Sequence, residues 1–266
     1  RRLTTHGGRR GDGSARAMTR PWRPPELARL GGVASRVTLH ADDTEPLQET
    51  ETVWQPSHRI IGSEYAGENL FSRIAGDEEL EALRELADLT SGAGGRHAGD
   101  IFLLPPGERI YGPGTALIMA AFAWPSRDTR FSRARGAYYA AREERTAIAE
   151  TVYHRERFLR AAGSGPVVME MTLLHADLRA TLVDIRRGRP SPPGVYHDSD
   201  YTAGQELGEL VRHLRGDGIR YDSVRASGGE CAAIFRPRVL ARCRPVRTLE
   251  YHWDGARIAE VRAGAG

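Results

Sequence analysis

The sequence contains no lysine: all 38 of its basic residues are arginine. Usage so uniform reads as genome composition rather than as arginine chemistry. Cysteine is almost as scarce. Cys231 and Cys243 are the only two, twelve positions apart and without a CxxC spacing. That number is too small for a disulfide-built secreted scaffold and the spacing is wrong for a structural zinc site, so no metal is expected. Long apolar runs are missing too. The longest, TALIMAAFAW from Thr115 to Trp124, is about half of the ~18 residues a membrane helix needs, and no membrane association is expected. The basic start is not followed by an apolar stretch, so no signal-peptide pattern is present and a cytoplasmic location is expected. There is no GxxxxGK[ST], no GxGxxG after a strand, no HExxH and no GxSxG. A P-loop NTPase, a Rossmann dehydrogenase, a zincin and an α/β-hydrolase therefore have no motif support.

What is present is unevenly spread. Residues 1–36 hold nine arginines against Asp12 and Glu26, a net +7, whereas the rest holds 29 arginines against 33 acids, a net −4. The pI of about 9.1 belongs to this Gly-, Pro- and Arg-rich stretch. Residues 1–52 read as a tail and polar linker, disordered or loosely attached, and residues 53–266 as the folded body. A body of net −4 repels a phosphate backbone, so direct nucleic-acid binding is not expected.

Along the body, VWQPSHRIIGSEY reads as a strand. DEELEALRELADLTSGAGG reads as a helix, with Asp77 at its start and leucines at helical spacing. TALIMAAFAW reads as short and buried. GAYYA has strand character, and REERTAIAETVYHRERFLR is a helix with Ile148, Val152, Arg155 and Leu159 on one stripe. PVVMEMTLLHADL and ATLVDIR read as two paired strands. YTAGQELGELVRHL is the clearest amphipathic helix. IRYDSVR and ECAAIFR are strands joined by a Gly-Gly turn, and YHWDGARI is a hairpin turning at Asp254-Gly255. Helices interleaved with adjacent strand pairs predict an α+β fold with a largely antiparallel sheet.

Four residues sit in unusual settings. Arg59 lies inside the apolar segment SHRII, where a guanidinium is costly unless it meets an anion. Arg130 precedes the GAYYA strand. Glu150 is a lone acid among small apolar helix residues, and Ser223 ends a strand before the Gly-Gly turn. Each also has a plain structural explanation: an ion pair, a surface arginine, a solvated helix glutamate, a strand-end hydrogen bond. Together, two arginines can clamp a pyrophosphate, a carboxylate can hold a ribose hydroxyl and steady an oxocarbenium-like centre, and Tyr139 can stack on a flat ring. The HDSD run from His197 to Asp200 reads as helix-capping chemistry.

The segments RFSRARGAYYAAREERTAIAE, YTAGQELGELVRHL and GIRYDSVRASGGECAAIFRPRVL resemble the RES-domain family, many of whose members are toxins of bacterial RES–Xre toxin–antitoxin pairs. The resemblance runs from about Val53 to Arg262, with a longer stretch than usual over residues 77–124 and Thr129 where relatives often have glycine. It implies an ADP-ribosyltransferase-like fold with a split, largely antiparallel sheet. It also implies cleavage of the nicotinamide–ribose bond of NAD, by phosphorolysis to nicotinamide and ADP-ribose 1″-phosphate or by hydrolysis. NAD is then the substrate and not a recycled cofactor, and inorganic phosphate is a candidate co-substrate. The family's arginine, glutamate and serine fall on Arg59, Glu150 and Ser223, with Ser227 as the alternative serine. Arg130 and Tyr139 fall on substrate-binding positions, and Tyr138 ranks below them because it points to the opposite face of its strand. An Xre-type helix-turn-helix antitoxin is the implied partner, and homo-oligomer formation stays open. Transfer of ADP-ribose to a protein acceptor, and a non-enzymatic module using the basic tail, are the alternative readings.

Overall fold

In the computed structural model, residues 40–42, 45–65, 104–123, 129–133 and 135–264 are described. The short strands β1 (His40–Asp42) and β2 (Glu45–Pro46) pair with each other. The body is mixed α/β. A seven-stranded sheet runs in the order β3 (Gln48–Gly62), β4 (Tyr138–Ala141), β7 (Glu230–Ile234), β6 (Gly218–Asp222), β5 (Val167–Asp184), β8 (Leu240–Trp253), β9 (Ile258–Ala263). Among the described residues it carries three α-helices: α1 (Thr115–Ala123), α2 (Glu144–Ala161) and α3 (Thr202–His213). The helix expected near Asp77 lies outside the described residues, as do residues 1–39.

Strand β3 also pairs with β5, so β3, β5, β6, β7 and β4 close into a ring. Only β5 and β6 run parallel, sharing two residue pairs. One edge of β5 follows β3, and its other edge is shared by β8 and then β6. The ring is weakest between β3 and β4, which share the single pair His58–Ala141. Beyond that pair the strands part, and the gap becomes the floor of the site described below.

Two cores flank the sheet. Ile118 and Phe122 of α1 pack with Trp54, Tyr138, Leu174, Leu178 and Leu182 on one face. Ala147 of α2 and Leu207 and Val211 of α3 pack with Phe131, Ile219 and Tyr221 on the other. Helix α1 is apolar all round, the pattern of a buried helix. The C-terminal part of the expected 77–124 insertion is therefore an integral element of the core. Cys231 and Cys243 are free thiols buried in different cores.

Three expectations need correction. The two strands expected between Pro166 and Arg186 are one 18-residue strand, β5. His175, Asp177, Arg179 and Thr181 form its polar face, opposite an unbroken buried row of Leu174, Ala176, Leu178, Ala180 and Leu182. No Gly or Pro interrupts the span, so a run of polar residues imitated a turn. Second, β3 begins at Gln48 and not at Val53. Leu47 and Thr52 are buried, and Thr50 donates a hydrogen bond to the buried carboxylate of Asp184 at 3.1 Å. Residues 48–52 thus belong to the body and not to a linker. Third, the C-terminal hairpin is much longer on its first side, because β8 starts at Leu240 and takes Pro245 into a register irregularity.

Helix α3 approaches the chain before β4 unusually closely. A Cβ at Gly204 would lie 2.3 Å from the Arg130 carbonyl oxygen, and one at Gly208 would lie 2.1 Å from that of Phe131. Neither space can open without moving backbone. Gly208→Ala is therefore expected to destabilise the protein by about 3 kcal/mol, the upper end of overpacking costs. The check is urea denaturation, and an unchanged midpoint would contradict this packing.

Candidate active site

A cavity of about 280 Å³ opens where β3 and β4 part, lined by Arg59, Arg130, Tyr139, Glu150, Tyr201 and Arg225 among others. This is near the lower end of small-molecule sites, enough for one end of a dinucleotide. Five of the six sequence-derived site residues converge here. Four line the cavity and the fifth, Ser223, bonds Glu150.

Helix α2 carries Glu150 on the stripe that faces the cavity. The Ser223 hydroxyl donates to Glu150 Oε1 at 2.6 Å. The same hydroxyl accepts from the backbone N–H groups of Arg225 (3.0 Å) and Ala226 (2.9 Å) in the β6–β7 turn. Its hydrogen-bonding capacity is spent, so Ser223 acts by fixing the carboxylate. Ser227 is exposed and makes no such bond. Burial pushes the Glu150 carboxyl above its ordinary value, and the Ser223 hydrogen bond, Arg225 and Arg130 pull it partly back.

Arg59 and Arg130 make no ion pair among the described residues. Arg59 Nη1 donates to the Tyr139 carbonyl at 2.9 Å across the gap between β3 and β4, taking the place of a missing ladder bond. Its guanidinium lies 4.7 Å from the centre of the Tyr138 ring, and its Nε is buried without a partner. Burial lowers its pKa, and no carboxylate among the described residues offsets this. Arg130 is 8% exposed and donates from Nη1 to the carbonyls of Val195 and His197, both at 2.9 Å. It makes no ion pair among the described residues. Two desolvated cations held by neutral oxygens leave a local excess of positive charge, which an anionic ligand offsets.

Tyr139 has a second task. Its hydroxyl bonds Thr129 Oγ1 at 2.8 Å and accepts from the Phe131 N–H at 3.1 Å, pinning the turn that presents Arg130. Tyr138, expected as a lower-ranked substrate contact, does not line the cavity. It is fully buried in the opposite core, with its hydroxyl 3.9 Å from Cys243 Sγ. Adjacent strand residues face opposite ways, and the cavity takes Tyr139.

Sequence reasoning missed Arg225, Tyr201 and His154. Arg225 lies 3.4 Å above the centre of the Tyr153 ring and bonds the Asp198 carbonyl (2.8 Å) and carboxylate (3.3 Å). The Tyr201 ring centre lies 4.9 Å from the Arg130 guanidinium. His154 lines the cavity one helical turn beyond Glu150, a spacing that was available in the sequence. The HDSD run, expected as the helix cap, folds into a local turn before α3: Asp200 accepts from the Thr202 N–H at 2.9 Å, and His197 Nδ1 accepts from the N–H of Asp200 at 2.8 Å, while the capping position falls on Tyr201, without a side-chain cap bond. Cys231 also lines the cavity, but burial and Glu150 hold its thiol far above the ordinary value, so it is no nucleophile.

An ionised Glu150 is the form that can steady positive charge. Acid protonates it, so any activity that draws on this carboxylate is expected to fall as pH drops through its raised pKa. Ser223→Ala removes a bond that favours the carboxylate, which moves the acid limb of the kcat profile to higher pH. A limb that stays in place or moves down would contradict the coupling of Ser223 to Glu150.

The sequence model of the RES domain matches residues 108–254. Arg130, Tyr139, Glu150 and Ser223 lie inside this stretch and Arg59 lies before it. Uncharacterized protein y4oC of Sinorhizobium fredii is 26% identical over 133 residues, which is 50% of this chain and 54% of that protein. The chain thus spans about half the length of the curated relative it matches. The crystal structure of the M. tuberculosis MbcT–MbcA toxin–antitoxin complex aligns over 76% of this chain and 86% of its own, at 10% identity and a TM-score of 0.42.

Proposed function

The chain belongs to the RES-domain family, and from that membership and the chemistry of its cavity we propose that it is a toxin-like enzyme that degrades NAD by cleaving the nicotinamide–ribose bond. The observation that carries this reading is the convergence of Arg59 and Arg130, which make no ion pair among the described residues, on the cavity that holds the Ser223-bound carboxylate of Glu150.

In this reading the pyrophosphate of NAD offsets the charge of Arg59 and Arg130 through charge-assisted hydrogen bonds. The nicotinamide ring stacks on Tyr139, whose occupied hydroxyl keeps its orientation fixed. Glu150 accepts a hydrogen bond from the nicotinamide ribose and stabilises positive charge as it develops at the anomeric carbon. The C1″–N bond breaks with its electron pair passing to the nicotinamide nitrogen, so a cationic ring leaves as a neutral molecule. An oxygen of phosphate, or of water, then forms the new bond to C1″ and its proton passes to solvent. Ser223 positions Glu150 and touches no reacting atom.

The same proposal extends to the surroundings. We read the sheet as an ADP-ribosyltransferase-like split sheet and the cytoplasm as the place of action, where NAD is found. An Xre-type helix-turn-helix antitoxin is the proposed partner, and self-association is compatible with this reading. No helix among the described residues is long and apolar enough to cross a membrane.

The test is incubation of the purified chain with NAD, with and without inorganic phosphate, followed by mass spectrometry. Nicotinamide equimolar with the NAD consumed is expected. ADP-ribose 1″-phosphate identifies phosphorolysis and ADP-ribose identifies hydrolysis. Unchanged NAD overturns the reading, and ADP-ribose found only on protein replaces it with transfer.

A further inference from the structure

A second concave site lies on the other side of the chain segment that leads into β4. It has a volume of about 790 Å³, within the range of small-molecule sites, and shares no lining residue with the cavity above. Five arginines line it (Arg135, Arg212, Arg215, Arg236 and Arg238) against one acid, Glu108. Arg236 spends its charge on Glu108, through Nε at 3.1 Å and through Nη2, and donates from Nη1 to the Arg215 carbonyl at 2.9 Å. The other four make no ion pair among the described residues.

Two of these four are held at a cost. Arg212 lies 3.9 Å above the centre of the Phe235 ring, donates from Nη2 to the Gly136 carbonyl at 2.9 Å, and buries its Nε without a partner. Burial lowers its pKa to about 10, and Tyr139 and Glu209 offset this only in part. Arg215 occupies the left-handed position that ends α3, at φ 58°, where glycine is the favoured residue. An arginine kept in a glycine's conformation beside a buried arginine that makes no ion pair among the described residues points to use of the side chain.

We propose that this groove is an anion site for a condensed phosphate chain, a diphosphate or triphosphate. Guanidinium forks match phosphoryl oxygens bidentately, and four arginines around one hollow that make no ion pair among the described residues, of which Arg212 spends one N–H on the Gly136 carbonyl, exceed what a single phosphate can satisfy. The described residues that line it offer no exposed ring on which a base could stack. Phe122 and Phe235 are 2% and 5% exposed, and Arg212 covers the Phe235 ring. Recognition therefore falls on the phosphates. The inference is independent of the proposed NAD chemistry, although α3 touches both sites: its glycines press on the turn carrying Arg130, and Arg212 lies at its far end.

The test is isothermal titration of the full chain with sodium tripolyphosphate at physiological salt. Saturable binding that depends on Arg215 is expected. Arg215→Gly supplies the residue that the backbone favours while removing one cation, so this variant should melt at a higher temperature and bind about tenfold more weakly. Arg130→Leu, in the other cavity, should bind as the parent does. ATP that displaces tripolyphosphate assigns the site to a nucleotide's phosphate tail, and ATP that fails to do so assigns it to the inorganic chain. Either result keeps the site. It is overturned by an absence of saturable binding, or by binding that Arg130→Leu abolishes and Arg215→Gly spares. Tighter, Arg215-dependent binding of a single-stranded RNA oligonucleotide overturns it in favour of a polymer surface.

Discussion

Glu150→Gln is expected to lower kcat for nicotinamide release by roughly 100- to 1,000-fold, about 3–4 kcal/mol of transition-state stabilisation, with KM for NAD changed only a few-fold. The substitution keeps the shape of the side chain. Its amide oxygen can still accept the Ser223 hydroxyl that holds Oε1 at 2.6 Å. Only the negative charge is lost, and that charge matters most when the anomeric carbon turns cationic. The site sharpens the effect, because Glu150 is partly buried beside Arg130 and Arg225 and water screens it weakly. Steady-state kinetics with NAD provide the check. A parental kcat in Glu150→Gln would remove Glu150 from the chemistry.

Arg130→Leu is expected to reduce kcat/KM for NAD by about a hundredfold, mostly through KM. In the proposed NAD complex a charge-assisted bond to the pyrophosphate would disappear, and with it the bonds that tie the Val195 and His197 carbonyls to the cavity wall. Arg130→Lys separates the two contributions. It retains the charge but lacks the planar fork that reaches two carbonyls and an oxyanion together, so partial recovery is expected. Equal kcat/KM in the parent and Arg130→Leu would place the pyrophosphate elsewhere.

Much of this architecture was legible in the chain. The amphipathic stripe of α3 placed Leu207 and Val211 in the core, where both are buried. Asp254-Gly255 marked the last turn, and Gly255 adopts φ 102° there. Local periodicity failed where tertiary pairing decides. β5 spans 18 residues because two partners share its second edge, and the polar residues of its outward face looked like a break. β8 was cut short because Pro245 breaks the alternating pattern, while a register irregularity accommodates it in the sheet. At the site, Glu150 and Ser223 are 73 positions apart, and no spacing rule links them. The family resemblance supplied that pairing. Arg225 and Tyr201 gave no sequence signal, since each matters only through what it faces in space: the Tyr153 ring and Asp198 for one, Arg130 for the other. The value of Gly204 and Gly208 was likewise hidden until their approach to the Arg130 and Phe131 carbonyls was seen.

The most direct measurement is a crystal structure of the Glu150→Gln protein soaked with NAD, which turnover should leave intact. The account expects pyrophosphate oxygens within hydrogen-bond distance of Arg59 and Arg130, with a nicotinamide-ribose hydroxyl against the side chain of residue 150. A dinucleotide bound away from these three residues, or a cavity that takes up none at saturating NAD, would contradict it.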